Sequence, residues 1–237
     1  MEWRVRRSPA RFYPVRLIGA ALVALALSGC IPLARAAQAV VAAPQAQRVA
    51  QEGPGLKTAI LAGGCFWGVE AVFSHVKGVR SVVSGYHGGT ERSARYDLVS
   101  SGVTDHVEAV KITYDPAVIR YDQLLRIFFS VVADPTLKDR QGPDSGPHYN
   151  AEVVPVSAEQ LTVARAYLMQ LKRSGLWMQP VVTPVVRAQA FYPAEPYHQD
   201  FAAKNPEHSY IRRWDKPKID ALRRLYPGVF SAAFQRG

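Results

Sequence analysis

The chain has 237 residues, of which 48% are hydrophobic, and a formal net charge of +10 at pH 7. Residues 1–30 hold five arginines and one glutamate, so the charge of the remainder is near +6. No basic run interleaved with aromatic residues occurs, which makes nucleic acid a poor candidate for a partner. The two cysteines, Cys30 and Cys65, restrict the possible chemistry more than the charge does.

Residues 1–30 have the composition of a signal peptide. The arginines lie within residues 1–16, and the apolar run over residues 17–27 carries no charge and is too short to span a membrane. This run ends at LSGC, which resembles the lipobox of bacterial lipoproteins, where the cysteine, here Cys30, is acylated. Cleavage after residue 36 without lipid is the alternative. Both alternatives predict export from the cytoplasm. The protein is then either periplasmic or attached to a membrane only through a lipid anchor.

The remainder is predicted to comprise a tether and one domain. Residues 31–55 are rich in Ala, Gln, Pro and Gly without an apolar period, which is typical of a flexible tether. Residues 56–230 are numerous enough to bury a full core. We expect this domain to be a monomer.

Cys65 is a lone thiol, because Cys30 is either acylated or cut away. A short buried strand over residues 58–62 is followed by two glycines and, from Val69, by apolar residues at helical spacing. The thiol is therefore predicted at a helix N-terminus, where backbone N–H groups and the helix dipole favour a thiolate and lower its pKa from about 8.5. We interpret Cys65 as a nucleophile rather than as a small core residue.

Two aromatic side chains follow the thiol directly. Phe66 fits the apolar stripe of the helix, so a place in the core also explains it, whereas Trp67 fits that stripe less well. Aromatic rings beside a nucleophile are suited to enclose a methyl group, such as that of a thioether or a sulfoxide.

Glu108 is the candidate proton donor. Within DHVEAVKITYDP (105–116), Glu108, Val110, Ile112 and Tyr114 share one face of a predicted strand. Burial on an apolar face disfavours the carboxylate, so we expect a raised pKa and a proton that is held at neutral pH. A protonated acid beside a thiolate suits a reaction that protonates a departing oxygen. A paired structural charge is the alternative for Glu108.

The spacing of metal-binding residue types does not favour a metal site. The letters HVE match part of the zinc deaminase signature, but no P-C-x-x-C follows, and the six histidines show no metal-ligand spacing. We expect neither a metal nor a prosthetic cofactor.

The other elements predict an α/β sandwich, one crossing of which would be parallel. Helices are predicted over residues 121–132 and from a Ser157–Gln160 capping box to Gly175. Strands are predicted over residues 151–156 and 180–191, where prolines favour sheet edges. The eighteen residues 133–150 have turn-forming composition, and a loop of that length is usually functional or disordered.

Six motifs, in order, resemble those of the peptide methionine sulfoxide reductase A family. They are GGCFWG, SGYHGG, DHVEAV, RQGPD, PHYNAEV and AEPYHQDF, spread from residue 58 to about residue 205. The resemblance implies a two-layer α/β sandwich with a ferredoxin-like core. It also implies an oxidoreductase that reduces the S epimer of methionine sulfoxide, free or in oxidised proteins, here as oxidative damage repair in the cell envelope.

The resemblance further assigns roles to individual residues. It makes Cys65 the nucleophile, which is left as a sulfenic acid, and Glu108 the acid that protonates the sulfoxide oxygen. It assigns hydrogen bonds to that oxygen to Tyr86 and Tyr149. Asp144 would organise the site, and Phe66 and Trp67 would form a pocket for the methyl group. Taken alone, the two tyrosines would be interpreted as packed phenols and Asp144 as a turn residue.

The sequence departs from the family pattern near the site and in its tail. The departures near the site are His87, Asp105, His148 and Asn150, the last at a position that is commonly arginine. The tail after Asn205 contains no cysteine where many relatives carry resolving thiols. The sulfenic acid is then expected to need an external thiol, such as a thioredoxin-like protein.

Two other functions remain open from the sequence. A Cys-His thiol hydrolase would also place a thiolate at a helix N-terminus, with His106 or His198 as its base. A non-catalytic lipoprotein that only retains the fold is the second alternative.

Overall fold

The computed structural model describes residues 40–237, so the predicted signal peptide with Cys30 and the first part of the predicted tether lie outside the described residues. In chain order the strands and helices are β1 (Lys57–Gly63), α1 (Phe66–Phe73), β2 (Val79–His87), α2 (Tyr96–Val99), β3 (Val107–Tyr114), α3 (Tyr121–Ile127), β4 (Arg140–Gln141), β5 (Asp144–Ser145), β6 (Ala151–Val154), α4 (Ala158–Arg173), β7 (Phe191–Pro193), α5 (Phe201–Lys204) and α6 (Lys216–Leu225). Helix α3 continues into a π-helical turn, Phe128–Val132, and a second π-helical turn, Ile211–Asp215, precedes α6.

The main sheet has the ferredoxin-like strand arrangement that the family resemblance implies. Its order is β6-β1-β3-β2-β7, and all neighbouring strands are antiparallel. Strands β1 and β2 therefore run in the same direction on either side of β3, and helix α1 connects them. Strands β3 and β6 flank β1 in the same way, so the chain forms two split β-α-β units. One parallel crossing was predicted, and the structure has two, each between strands that are not neighbours.

Helices cover one face of the sheet and build the main core. Side chains from α1, α3, α4 and α6 pack there against β1, β2 and β3. A smaller cluster on other strand positions, Ile60, Ala62, Val107, Ala109 and Val154, packs against Val186 and Phe191. Because both faces of β1 are covered, its sequence is a continuous apolar run rather than an alternating one.

Both long helices of the sequence analysis are confirmed. The α3 helix with its π-helical turn covers residues 121–132. Helix α4 begins after Ser157, whose side chain accepts a hydrogen bond from Gln160 N–H. It ends just before Gly175, which has a φ of +67°. The predicted loop 133–150 contains the short β4–β5 hairpin.

Two sequence-based predictions about the scaffold are wrong. Residues 43–52 of the predicted tether are not separate from the domain, because Ala43, Ala46 and Ala50 are buried in its core. These alanines pack in the core without a helical or strand period. The sequence pattern therefore gave no sign that this segment is buried. Residues 180–191 form no continuous strand: a single bridge joins Val185 to Val153, and regular pairing begins at Phe191. Prolines without N–H groups interrupt the ladder there.

Candidate active site

The turn between β1 and α1 presents Cys65. Gly64 has a φ of +86°, which favours glycine, and a Cβ on Gly64 would lie 2.5 Å from the Cβ of Gln141. Cys65 is the N-cap residue of α1 and is partly exposed, so a substrate can reach it. The predicted position of the thiol at a helix N-terminus is confirmed.

Glu108 lies next to this turn, near the start of β3. It is 1% exposed, and its Oε2 accepts a hydrogen bond of 2.9 Å from Phe66 N–H, the first amide of α1. Burial raises the pKa of Glu108 to about 8; the nearby Asp144 carboxyl acts in the same direction, and the Phe66 N–H opposes both. The predicted burial and raised pKa are confirmed, and a pKa of about 8 leaves most of the carboxyl protonated at neutral pH.

An amide of the helix N-terminus acts to lower the thiol pKa as predicted, but other effects outweigh it, so the prediction of a lowered pKa is wrong for the free protein. Although Cys65 is partly exposed, the surrounding protein desolvates the thiol and raises its pKa well above the ordinary value. The carboxyls of Glu108, Asp215 and Asp144 add to this, and a hydrogen bond from Trp67 N–H opposes it. The first amide of the helix is bonded to Glu108, so it does not stabilise the sulfur. Cys65 is therefore a protonated thiol at neutral pH.

Three residues of the loop and tail complete the surroundings of the thiol. The Tyr210 hydroxyl, just before the second π-helical turn, donates a hydrogen bond to Asp144 Oδ2. Burial raises the pKa of Tyr149, and Glu108 and Cys65 add to the effect, which puts its hydroxyl within electrostatic reach of both. Sequence reasoning found Asp144 and Tyr149 through the resemblance but missed Tyr210.

Asp215 was missed as well. It is fully buried, its pKa is raised to about 6 mainly by burial, and its Oδ1 lies 3.4 Å from Lys218 Nζ. A Cβ on Gly68 would lie 2.2 Å from Asp215 Oδ1, so this glycine lets the carboxyl approach α1 below the thiol. In the sequence, the tail that carries Asp215 is distinctive only for its lack of cysteine, and this gives no indication of a buried carboxyl near the thiol.

Tyr86 lies opposite Glu108 in the β2–β3 pair. It is fully buried, and its hydroxyl donates a 2.8 Å hydrogen bond to Glu195 Oε2. A tyrosine hydroxyl has one proton to donate, so the bond that the resemblance assigns to Tyr86, toward a sulfoxide oxygen, is not available in this arrangement. Glu195 was not singled out from the sequence, although it lies within the motif AEPYHQDF.

The two aromatic residues after the thiol differ in their surroundings. Phe66 is 1% exposed and packs against Tyr86 and His198, with ring centroids 5.9 Å and 4.9 Å away. Trp67 is only partly buried, and its ring stacks on Phe201 at 3.7 Å with a 6° interplanar angle. Trp67 thus forms an apolar wall beside Cys65, and Phe66 lies in the core behind it.

The departures from the family pattern have defined contacts. Asn150 accepts a hydrogen bond from Asp139 N–H at 2.6 Å and donates one to Asp139 Oδ1 at 2.9 Å, which ties the end of the loop to its middle. The His148 ring lies 4.0 Å from the ring of Tyr149. His87 Nε2 accepts a hydrogen bond from Gln189 N–H at 3.1 Å.

No histidine of residues 40–237 forms a hydrogen bond with Cys65. His198 Nδ1 accepts from Trp67 Nε1, and the ring of His106 is bonded to Gly89 N–H and to the Thr90 carbonyl. A Cys-His hydrolase would need a histidine within reach of the thiol. This arrangement does not favour that function.

The described residues contain neither a metal-binding cluster nor a membrane-spanning helix. Within residues 40–237, no three or more His, Cys, Asp or Glu side chains are grouped so that they could hold a metal ion. In the same part of the chain, no helix has the length and hydropathy needed to cross a membrane.

The sequence is similar to that of known reductases. The sequence model of the family described as peptide methionine sulfoxide reductase matches residues 57–227. Proteins named peptide methionine sulfoxide reductase MsrA 2 from Mesorhizobium japonicum and Synechocystis sp. are each 48% identical over 178 residues, which are 75% of this chain and 91% and 83% of theirs.

The fold is similar to that of solved structures. Reduced Mxr1 from Saccharomyces cerevisiae gives a TM-score of 0.59 at 28% identity, over 68% of this chain and 92% of that one. Methionine sulfoxide reductase A of Corynebacterium diphtheriae gives 0.54 at 28% identity, over 65% and 77%.

Proposed function

The chain belongs to the peptide methionine sulfoxide reductase family, and we propose that it reduces the S epimer of methionine sulfoxide with Cys65 as nucleophile and Glu108 as proton donor. The observation that carries this proposal is the position of a buried, protonated carboxyl on the first amide of the helix that bears the accessible thiol.

The proposed reaction transfers an oxygen atom. The sulfur of Cys65 attacks the sulfoxide sulfur while Glu108 protonates the sulfoxide oxygen, and the thiol proton replaces the proton that Glu108 gives up. The bond between the substrate sulfur and this oxygen then breaks, the oxygen bonds to the Cys65 sulfur, and cleavage of the bond between the two sulfurs releases the thioether. The thiol and sulfoxide become a sulfenic acid and a thioether, so the two electrons gained by the substrate sulfur come from Cys65. Protonation of the thiol in the free protein limits its oxidation before a substrate arrives, because the thiolate is the reactive form.

Three contacts support this substrate. The Trp67 ring offers an apolar wall for the methyl group. The Tyr149 hydroxyl, in electrostatic reach of Cys65 and Glu108, is placed to donate to the oxygen, and Tyr86 joins it if it releases Glu195. Asp144, held by Tyr210, keeps the loop near the thiol. Oxidised proteins and free methionine sulfoxide both present the methyl sulfoxide group that these residues recognise.

The oxidised site is proposed to be regenerated by an external thiol. The sequence has two cysteines, and Cys65 is the free cysteine of the described residues. An external thiol would condense with the sulfenic acid, releasing water, and a second thiol would then reduce the mixed disulfide. A thioredoxin-like protein has this chemistry, and the reaction needs no prosthetic group or metal.

The test of this mechanism is a count of products in a single turnover. The lipid-free protein from residue 31 onward is mixed with excess methyl sulfoxide without reductant, and we expect about one methionine per site and a sulfenic acid on Cys65 that dimedone traps. The Cys65→Ser variant is the control and should form no product. Two methionines per chain, or an unmodified Cys65 after product release, would contradict the mechanism.

We also propose that the protein acts outside the cytoplasm as a monomer held by a lipid on Cys30. The support is the sequence of residues 1–30, with its arginine-rich start and LSGC end. The mature protein should partition into detergent and carry lipid mass, and Cys30→Ala should abolish both. A lipid-free protein that begins at Ala37 would instead indicate the second cleavage site.

A further inference from the structure

Two polar residues behind the site have no role in the mechanism above. Glu195 and His198 follow β7 in the motif AEPYHQDF. His198 is 2% exposed, and its Nδ1 accepts a 3.1 Å hydrogen bond from Trp67 Nε1. Glu195 accepts from the Tyr86 hydroxyl on Oε2 at 2.8 Å and from Tyr96 N–H on Oε1 at 2.9 Å. His198 thus holds the Trp67 ring, the proposed apolar wall for the methyl group. Glu195 holds Tyr86, a candidate hydrogen-bond donor to the sulfoxide oxygen.

The hydrogen-bond partners determine where the proton of His198 lies. The indole N–H of Trp67 can only donate, so Nδ1 of His198 must accept. Burial lowers the pKa of His198, although Glu195 opposes this effect, so the ring is neutral at neutral pH. A neutral imidazole carries one N–H, and that proton is therefore on Nε2. This Nε2 is buried without a hydrogen-bond partner and lies 4.0 Å from Glu195 Oε2.

Tyr86 and His198 therefore face the same carboxylate oxygen. In the free protein that oxygen accepts from Tyr86. If the Tyr86 hydroxyl turns toward a sulfoxide oxygen, Glu195 Oε2, on a side chain that is 30% exposed, loses that donor and can accept from another. The Nε2–H of His198 is buried without an acceptor, which is unfavourable, and a bond to Glu195 would satisfy it. A shift of about 1 Å would bring His198 Nε2–H into hydrogen-bond range of the same oxygen.

We propose that Glu195 and His198 are positioning residues that allow Tyr86 to exchange acceptors. On substrate binding, the Tyr86 hydroxyl passes from Glu195 Oε2 to the sulfoxide oxygen, and His198 Nε2–H replaces it on Glu195. Because His198 stays bonded to Trp67 through Nδ1, the same exchange holds the methyl wall in place. This inference rests on the proposed function, since it concerns the recognition of the same substrate.

Two substitutions of His198 separate its two hydrogen bonds. The amide of asparagine reaches the position of Nδ1, so His198→Asn keeps an acceptor for Trp67 but gives Glu195 no donor. The amide of glutamine reaches the position of Nε2, so His198→Gln keeps the donor to Glu195. We expect His198→Asn to lower kcat/KM for a methyl sulfoxide by about tenfold, mostly through kcat, because the hydrogen bond to oxygen strengthens as charge develops there. His198→Gln should retain most of kcat.

A double-mutant cycle with Tyr86→Phe tests whether His198 acts through Tyr86. Without the hydroxyl there is nothing to exchange, so His198→Asn should cause no further loss of kcat in the Tyr86→Phe protein. An equal loss in both backgrounds, or a larger kcat loss for glutamine than for asparagine, would overturn the proposal. If His198→Asn does not fold, the position of the His198 proton in the wild-type protein decides instead.

Nitrogen-15 NMR of His198 in the folded wild-type protein gives an independent measurement. A proton on Nε2 is expected, and a proton on Nδ1 would overturn the proposal whatever the kinetics show. The wild type is assayed first with dithiothreitol. If it does not turn over the sulfoxide, the proposed function fails, whereas an active wild type with equal losses in the cycle contradicts only the exchange.

Discussion

A glutamate carboxyl lies at each end of strand β3, and the two carboxyls have different surroundings. At the start of the strand, Glu108 is almost fully buried, accepts from Phe66 N–H and lies near the Asp144 carboxyl. At the other end, Glu52 accepts from the Tyr114 hydroxyl on one oxygen and from Tyr121 N–H on the other, at 3.0 Å. Both oxygens of Glu52 therefore have a donor from the protein.

The difference shows how the same residue type serves chemistry or structure. A desolvated carboxyl with few donors and a like charge nearby retains its proton, which it can then transfer. A carboxylate with donors on both oxygens connects segments, and Glu52 connects residues 43–52 to β3 and α3. Substitutions at the two ends should accordingly change different quantities, activity at the Glu108 end and stability at the Glu52 end.

The largest expected effect is at Glu108. Glu108→Gln keeps a hydrogen-bonding group but has no proton to transfer, so sulfoxide reduction should slow by roughly 10²- to 10⁴-fold at neutral pH. The defect should shrink at lower pH, where solvent supplies the proton, and the wild-type rate should decline above pH of about 8 as Glu108 ionises. Initial rates with dithiothreitol between pH 5 and 9.5 measure both.

Glu70 provides the matched control for Glu108. It is fully buried in α1, and burial raises its pKa to about 8 as well, but it is not among the carboxyls that act on Cys65. Glu70→Gln should therefore keep a rate close to that of the wild type. A near-normal rate for Glu108→Gln at pH 8 would remove Glu108 from the mechanism.

At the other end of β3 the expected effect is on stability. Glu52→Ala leaves the Tyr114 hydroxyl and Tyr121 N–H without their acceptor, so the free energy of unfolding should fall by about 1–3 kcal/mol. The rate of sulfoxide reduction should not change. Urea unfolding measures the first quantity, with Tyr114→Phe as a control that removes one donor and should cost less. An unchanged urea midpoint for Glu52→Ala would mean that residues 43–52 add nothing to the fold.

A smaller effect is expected on the pH dependence of stability. The pKa of Glu70 is raised from 4.5 to about 8, so its contribution to stability is present below 4.5 and is lost as pH rises toward 8. One such group contributes a slope of at most about 1.4 kcal/mol per pH unit. Glu70→Gln should make the free energy of unfolding fall less steeply between pH 5 and 8. Parallel slopes for the variant and the wild type would contradict the raised pKa.

The smallest expected effect is on the thiol itself. The Asp215 carboxyl raises the pKa of Cys65, so Asp215→Asn should move the pH midpoint of Cys65 alkylation by iodoacetamide to lower pH. Lys218→Gln is the opposing control, because it removes the positive charge beside Asp215 and should move the midpoint upward or leave it in place. A midpoint that rises in Asp215→Asn would contradict the electrostatic role of Asp215.

Local sequence patterns predicted the parts of the fold with a clear period. The alternation in β3 placed Glu108, Val110, Ile112 and Tyr114 on one buried face, and the structure confirms this. The spacing in residues 157–175 predicted α4 and its end. The predictions for residues 43–52 and 180–191 were wrong. Residues 43–52 pack through isolated alanines, and residues 180–191 pair through a single bridge, so neither segment has a periodic sequence pattern.

By itself, the sequence determined that an accessible thiol would begin a helix and that a glutamate would be buried in the neighbouring strand, because both follow from local backbone geometry and side-chain alternation. Only the tertiary structure decided the protonation of that thiol and the partners of Tyr86 and Trp67. Asp144, Asp215, Glu195 and His198 come from segments 79 to 150 residues away from Cys65, and electrostatic interactions depend on distance in space rather than along the chain.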